Sequence, residues 1–180
     1  MIDVSNLLDN VRASLLQAPR LVEGLVAGAP RDVVDWRETP AAWTIVEVLA
    51  HMADAEITDW PPRVETILRG AGRFPPFDRE SGFARYRGWS AEALVGEFGQ
   101  LRRANVERLD KASLSTPQLR MTGEHPELGT VTLAQLLATW AAHDMAHVAQ
   151  IARIRIRGLA PSVGPWTRYF SLLKDWQPNE

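Results

Sequence analysis

Residues 132–157 read TLAQLLATWAAHDMAHVAQIARIRIR, and the spacing of their apolar side chains decides the fold class. Leu136, Trp140, His143, His147, Ile151 and Ile154 recur at steps of three and four, the period that stacks side chains along one face of an α-helix. Thr132, with Gln135 three residues on, has the pattern of a capping box, and Val131 with Leu136 that of a hydrophobic staple. The spacing predicts a helix ending near Arg157, with Gly158 as a left-handed cap and Pro161 unable to continue it. Ile154-Arg155-Ile156-Arg157 alternates as a strand would, but it lies inside this stronger pattern, and its arginines suit the negative end of a helix dipole.

Three further helices follow from the same reading. Val4, Leu7, Leu8, Val11, Leu15 and Leu16 keep helical spacing, which resumes at Val22, Leu25 and Val26, so a first helix is expected with a kink or break near Pro19. Thr44 and Glu47 form a second capping-box pattern, with Trp43 placed to staple onto Val48; that helix should reach about Asp59, where Trp60-Pro61-Pro62 interrupts it, and continue over 63–69. Ser90 can cap a third helix, with Trp89 and Leu94 as staple and Leu94, Phe98, Leu101, Asn105 and Leu109 as its inner face. Residues 28–42 and 70–88 read as loops, as do Pro117 and the polar stretch 122–129. After Pro165, the residues Trp166, Tyr169, Phe170 and Leu173 mark a short helix that would close one end. The expectation is an all-α, four-helix bundle with a short C-terminal helix, in one domain over residues 1–180.

Composition bounds the function. The chain has 46% hydrophobic and 23% charged residues, ordinary globular usage. Its net charge of -2 lacks the basic footprint that nucleic acid requires, so no nucleic-acid partner is expected. Cysteine is absent, which excludes disulfides, thiolate ligands and a cysteine nucleophile and leaves His, Asp and Glu as the ligand set. The opening residues carry acids before any arginine and no long apolar run, so neither a signal peptide nor a membrane span is expected, and the protein reads as cytoplasmic. Several of the seven tryptophans stand just before or inside helical patterns, where core and helix-entry packing accounts for them.

Two histidines interrupt the face of the 132–157 helix that should be buried. His143 and His147 lie one turn apart, close enough for two imidazoles to grip one ion. His51 is a third inward histidine, in register with Val48 and Ala55. A lone inward histidine is usually satisfied by a hydrogen bond, but three buried together would each cost about 1–3 kcal/mol if unpaired, and one cation satisfies them at once. Three neutral nitrogens leave a divalent metal ion with most of its charge and with open positions, the arrangement of a catalytic site. Nickel and zinc suit imidazole best, with iron, cobalt and manganese also compatible. Glu47, Asp54 and Gln150 each lie a turn from a ligand and are candidates to orient one, against the plainer reading as surface or capping groups. His125, beside Pro126 in a polar stretch, reads as solvent-exposed.

The segment from Trp43 to Glu56, WTIVEVLAHMADAE, resembles the second-helix motif of the DinB/YfiT-like superfamily, and Trp140 to Arg155, with His143-Asp144, His147 and Gln150, resembles its last bundle helix. The resemblance spans roughly residues 4–157 in helix order. It implies a four-helix bundle, often a homodimer, whose metal is carried at His51, His143 and His147. It further implies a metal-dependent transferase or isomerase using a low-molecular-weight thiol such as mycothiol, bacillithiol or glutathione on a small electrophile. The family's name refers to DNA-damage induction and carries no expectation of DNA binding.

Two other functions compete. A metal-dependent hydrolase would use water as nucleophile, with Asp144 or Glu47 carrying the proton. The His143-Asp144 doublet is shared with helical HD-type phosphohydrolases, but only Asp175 is a loose candidate for their last ligand, and the zincin pattern needs Glu where Asp144 stands. The third possibility is a non-catalytic metal-binding bundle with a stress-response role.

Overall fold

The computed structural model describes residues 4–70 and 72–174. Four long helices carry the fold: α1 (Val4–Val26), α3 (Ile45–Thr58), α6 (Ala91–Ala112) and α8 (Leu133–Gly158), with α1 and α3 each packing against both α6 and α8. This is the expected four-helix bundle. Shorter pieces join them: α2 (Arg31–Val34), α4 (Trp60–Leu68), α5 (Ser81–Arg85), α7 (Thr116–Leu119), a hairpin of β1 (Thr122–His125) and β2 (Gly129–Thr132), α9 (Ala160–Val163) and a 3-10 turn over Gly164–Tyr169.

The helix starts are set by the residues that announce them. Thr44 and Glu47 close a reciprocal capping box, as do Thr132 and Gln135, and the Ser90 hydroxyl accepts from the Ala93 amide. A further box, Ser115 with Gln118, starts α7.

Pro19 lies inside one continuous α1, so of the kink or break expected from the sequence the break does not occur. A proline leaves the carbonyl four residues earlier without its helical donor, and that carbonyl is Leu15. Arg102 on α6 donates to the Leu15 oxygen at 2.9 Å. The vacancy in the helix ladder is thus filled from a neighbouring helix.

Arg102 is itself fully buried. It forms charge-assisted hydrogen bonds to both oxygens of Glu56 on α3 (3.0 and 2.8 Å) and of Asp144 on α8 (2.5 and 3.0 Å). Burial opposes the guanidinium charge, but the two carboxylates outweigh it and its pKa is raised. Its guanidinium carbon lies 4.7 Å from the centre of the Phe98 ring and 5.4 Å from that of the Trp140 ring. Those rings belong to two apolar clusters, one around Val22, Leu49, Met52 and Phe98, the other around Leu15, Ile67, Leu137 and Trp140. A charged layer therefore ties three helices together between two greasy ones.

Several loops expected from the sequence are structured. Pro61 and Pro62 fall in the first turn of α4, where their missing amides have no helical partner to lose, so they start a helix that follows α3 after a break at Asp59 alone. Residues 122–132 form an antiparallel hairpin, Thr122 opposite Thr132 and His125 opposite Gly129. Its strands lack apolar alternation because Gly123 is the sole buried residue of β1; a Cβ there would meet the Phe74 ring at 2.5 Å. Gly158 stays inside α8, without positive φ, and the left-handed turn comes later at Gly164 (φ +58). The aromatic stretch after Pro165 does not close the bundle as expected: Trp166, Tyr169 and Phe170 are at least half exposed, and only Leu173 is buried.

No described helix is long and apolar enough to cross a membrane.

Candidate metal centre

His51 projects from the middle of α3 and His143 and His147 from successive turns of α8. Each ring is set by the helical register that the sequence pattern predicts. The His143 Nε2 stands 3.0 Å from the His51 Nε2 and 3.0 Å from the His147 Nε2, and one nitrogen from each ring lies within 4.8 Å of the others. Among the described residues this is the group of His, Asp or Glu that can hold a metal ion.

The outer nitrogens determine what the inner ones can do. His51 Nδ1 lies 3.0 Å from the main-chain carbonyl of Arg79, which can only accept, so Nδ1 carries the proton and Nε2 presents a lone pair. His147 Nδ1 donates in the same way to Gln150 Oε1 at 2.8 Å. Two lone pairs thus face His143 Nε2, and a single N–H there cannot point at both. Burial and the neighbouring His143 keep the other rings neutral, lowering His51 to about 4 and His147 to about 3. For His51, the Arg79 charge pushes in the same direction, against the hydrogen bond to its carbonyl. Converging neutral nitrogens with outward protons already held are the donor set of a cation site, and a divalent ion fits it.

The second rank of candidates divides. Gln150 orients His147 directly. Glu47 serves the helix cap and accepts from Arg37 at 2.7 Å, the plainer of its two readings. Asp54 touches no ligand ring; it accepts from Ser81 Oγ and Arg85 Nε, both at 2.5 Å, and from Thr58. It thereby fastens α5 onto α3, close to the Arg79 carbonyl. Gly82 makes that approach possible, since a Cβ there would stand 2.5 Å from the Ala50 carbonyl oxygen. Asp144 lies 3.7 Å from His143 Nδ1, which is buried without a hydrogen-bond partner among the described residues, but both its oxygens are held by Arg102. It is therefore not a free proton carrier. His125 is half-buried in β1, accepting from the Glu127 and Leu128 amides, and not exposed as its polar setting suggests. Asp175 lies outside the described residues.

Aromatic rings wall the site in a way the apolar pattern alone did not indicate. Trp43, read as a helix staple, lies 5.1 Å from the His51 ring and stacks at 6.5 Å on His147. Phe77 approaches His51 at 5.9 Å, and Trp60 meets His143 edge-on at 5.0 Å. Beside them, buried Asp59 pairs with Arg63 at 2.5 Å. Burial raises the Asp59 pKa to about 6 against the pull of that arginine. Its position as the first residue after α3, beside a proline pair, was the available signal.

Known proteins agree with this picture of the fold. The structure resembles that of YfiT from Bacillus subtilis, described as "a probable metal-dependent hydrolase with an unusual four-helix bundle topology", with a TM-score of 0.76, 18% identity, and coverage of 88% of this chain and 90% of that one. A protein of Oceanobacillus iheyensis named "Putative metal-dependent hydrolase" is 20% identical over 159 residues, 84% of this chain and 88% of its own length. The family model for the DinB superfamily matches residues 14–151, which include all three clustered histidines. The chain belongs to the DinB superfamily.

Proposed function

We propose that this chain is a metal-dependent hydrolase of a small molecule, with a divalent ion, nickel or zinc, held by His51, His143 and His147. The observation that carries the reading is the fixed tautomer of two of the three rings, which aims their lone pairs at the third. A bound ion supplies Lewis acidity, lowering the pKa of a water or thiol beside it. The chain's own part is to keep His51 and His147 neutral at ordinary pH, orient them through the Arg79 carbonyl and Gln150, and exclude water with Trp43, Trp60 and Phe77. The names of the two relatives support water as the nucleophile.

One observation favours the thiol-dependent transferase as a second reading. The acids around the site are already engaged: Asp144 and Glu56 by Arg102, Asp54 by Arg85, Glu47 by Arg37 and Asp59 by Arg63. A low-molecular-weight thiol arrives with its own proton to lose and makes less demand on a protein base. Metal-loaded protein screened against activated esters, amides and electrophiles, with and without glutathione or mycothiol, separates the two. Thiol-independent hydrolysis that chelation abolishes is the expected result; turnover only with thiol would replace it by the transferase, and no turnover in either series would leave a non-catalytic bundle. In the same reading the chain works as a homodimer, and light scattering should give twice its 20.1 kDa mass.

A further inference from the structure

The acids lining the metal centre have each been matched with an arginine, yet one arginine at its mouth has no such match. Arg79 is exposed and forms no ion pair with any described residue. Its main-chain carbonyl is bonded to His51, and its guanidinium lies 5.5 Å from the centre of the Trp43 ring, the ring that also stacks on His147. The side chain is thus held on the wall of the site by a cation–π contact. Three imidazoles bring no negative charge to a divalent ion, so a bound ion and Arg79 would place two cations on this face, with Asp78 and Glu80 as the acids flanking Arg79. The neighbouring rings are apolar: Phe83 packs edge-on against Trp43 at 5.1 Å, and Phe77, with the Asp59-paired Arg63 guanidinium 5.8 Å from its centre, lies against His51.

We infer that the small molecule taken by this site is an acid with an apolar or aromatic body, its carboxylate held by Arg79 and its reacting group directed to the three histidines. Arg79 is then a binding and specificity residue. A guanidinium suits this role because its planar fork takes a carboxylate through two parallel hydrogen bonds. The backbone that carries it is anchored at the Arg79 carbonyl on His51 and, beyond it, at Ser81 and Arg85, both bonded to Asp54. The backbone under the cation is therefore anchored beside the histidines, and the guanidinium itself, though exposed, lies against Trp43. The inference rests on the metal-centre reading for the placement of the reacting group, whereas the anion contact stands on Arg79 itself.

The test is a calorimetric titration of zinc-loaded protein with benzoate and with benzamide, which has the same body without the charge. Arg79→Met should weaken benzoate binding about tenfold or more, the size of a lost hydrogen bond to a charged group, and Arg79→Lys should recover part of it. Benzamide should bind weakly to all three proteins. Zinc content should not change in either variant, since only the main-chain oxygen of Arg79 meets a ligand ring. Benzoate held equally by parent and Arg79→Met, or benzamide bound as tightly as benzoate, would overturn the inference. The same titrations on chelator-treated protein separate the two readings: if the parent holds no zinc, the metal-centre reading fails, and a benzoate difference between parent and Arg79→Met still supports the anion site, whereas no benzoate binding by either overturns it.

Discussion

Arg102 donates a 2.9 Å hydrogen bond to the carbonyl of Leu15, the acceptor that Pro19 leaves without a helical partner. The same guanidinium holds Glu56 and Asp144, so one side chain fills the gap in the α1 ladder and ties together α3 and α8, the two helices that carry the histidines. Arg102→Met should destabilise the protein by about 3–5 kcal/mol, because two carboxylates stay buried without their cation. Replacing Arg102, Glu56 and Asp144 together with Met, Leu and Leu should restore much of that loss. Urea denaturation measures both, and a single variant as stable as the parent would remove the network's structural role.

The bundle was legible because its helices begin with local chemistry: Thr44 with Glu47, Ser90, and Thr132 with Gln135 mark three of the four long starts. The histidines were legible because they sit in the apolar register of Trp140, Ile151 and Val48. The buried ion network was missed although its register was visible: Glu56, Arg102 and Asp144 each stand four residues after a buried apolar residue, Met52, Phe98 and Trp140. Charges so placed must be paired, but the sequence does not say with what. The site's walls and the hairpin were missed for another reason. Trp43, Phe77 and Arg79 reach the histidines through chain folding between helices, where no period operates, and a hairpin that buries a glycine has no apolar alternation to read.

Gln150 should matter to the metal through His147 alone. Gln150→Leu removes the acceptor that fixes the ring, and should weaken zinc affinity about 10- to 100-fold while leaving stoichiometry at saturation intact. His125→Ala, distant in role, should leave affinity unchanged. Competition titration with a chromophoric chelator reads both; equal affinities for Gln150→Leu and parent would discard the orienting role.

Gly82→Ala tests the support behind His51. The added Cβ would meet the Ala50 carbonyl oxygen at 2.5 Å, so α5 must move outward, at a cost of about 1–3 kcal/mol. The movement should also loosen the Arg79 carbonyl from His51 and weaken zinc binding. Thermal unfolding and zinc titration are the measurements; an unchanged melting temperature with unchanged affinity would contradict the packing described for α5.

Acid should destabilise the metal-free chain through its histidines. His51 and His147 have folded pKa values of about 4 and about 3, against 6.5 for an ordinary imidazole. Between those limits the unfolded chain takes protons that the folded chain refuses, so stability is fully present above pH 6.5 and is lost as pH falls through the window. Asp59 acts in the opposite sense: its pKa is raised from 3.8 to about 6, so the folded chain binds its proton first and gains as pH falls between those values. Two histidines outweigh one carboxylate, and the urea midpoint should fall from pH 7 to about pH 4.5. Asparagine at both 51 and 147 should flatten that fall. A midpoint that rises on acidification would show that the rings are not held neutral.

Metal content bears most directly on the central claim. Elemental analysis of zinc-saturated, desalted protein should find one ion per chain in the parent and in His125→Ala, and markedly less in His51→Ala, His143→Ala and His147→Ala. The loss in His51→Ala is the decisive part, because that residue lies 92 positions from His143 and meets it only through the fold. Unaltered stoichiometry in all three variants would contradict the metal centre and, with it, the hydrolase reading.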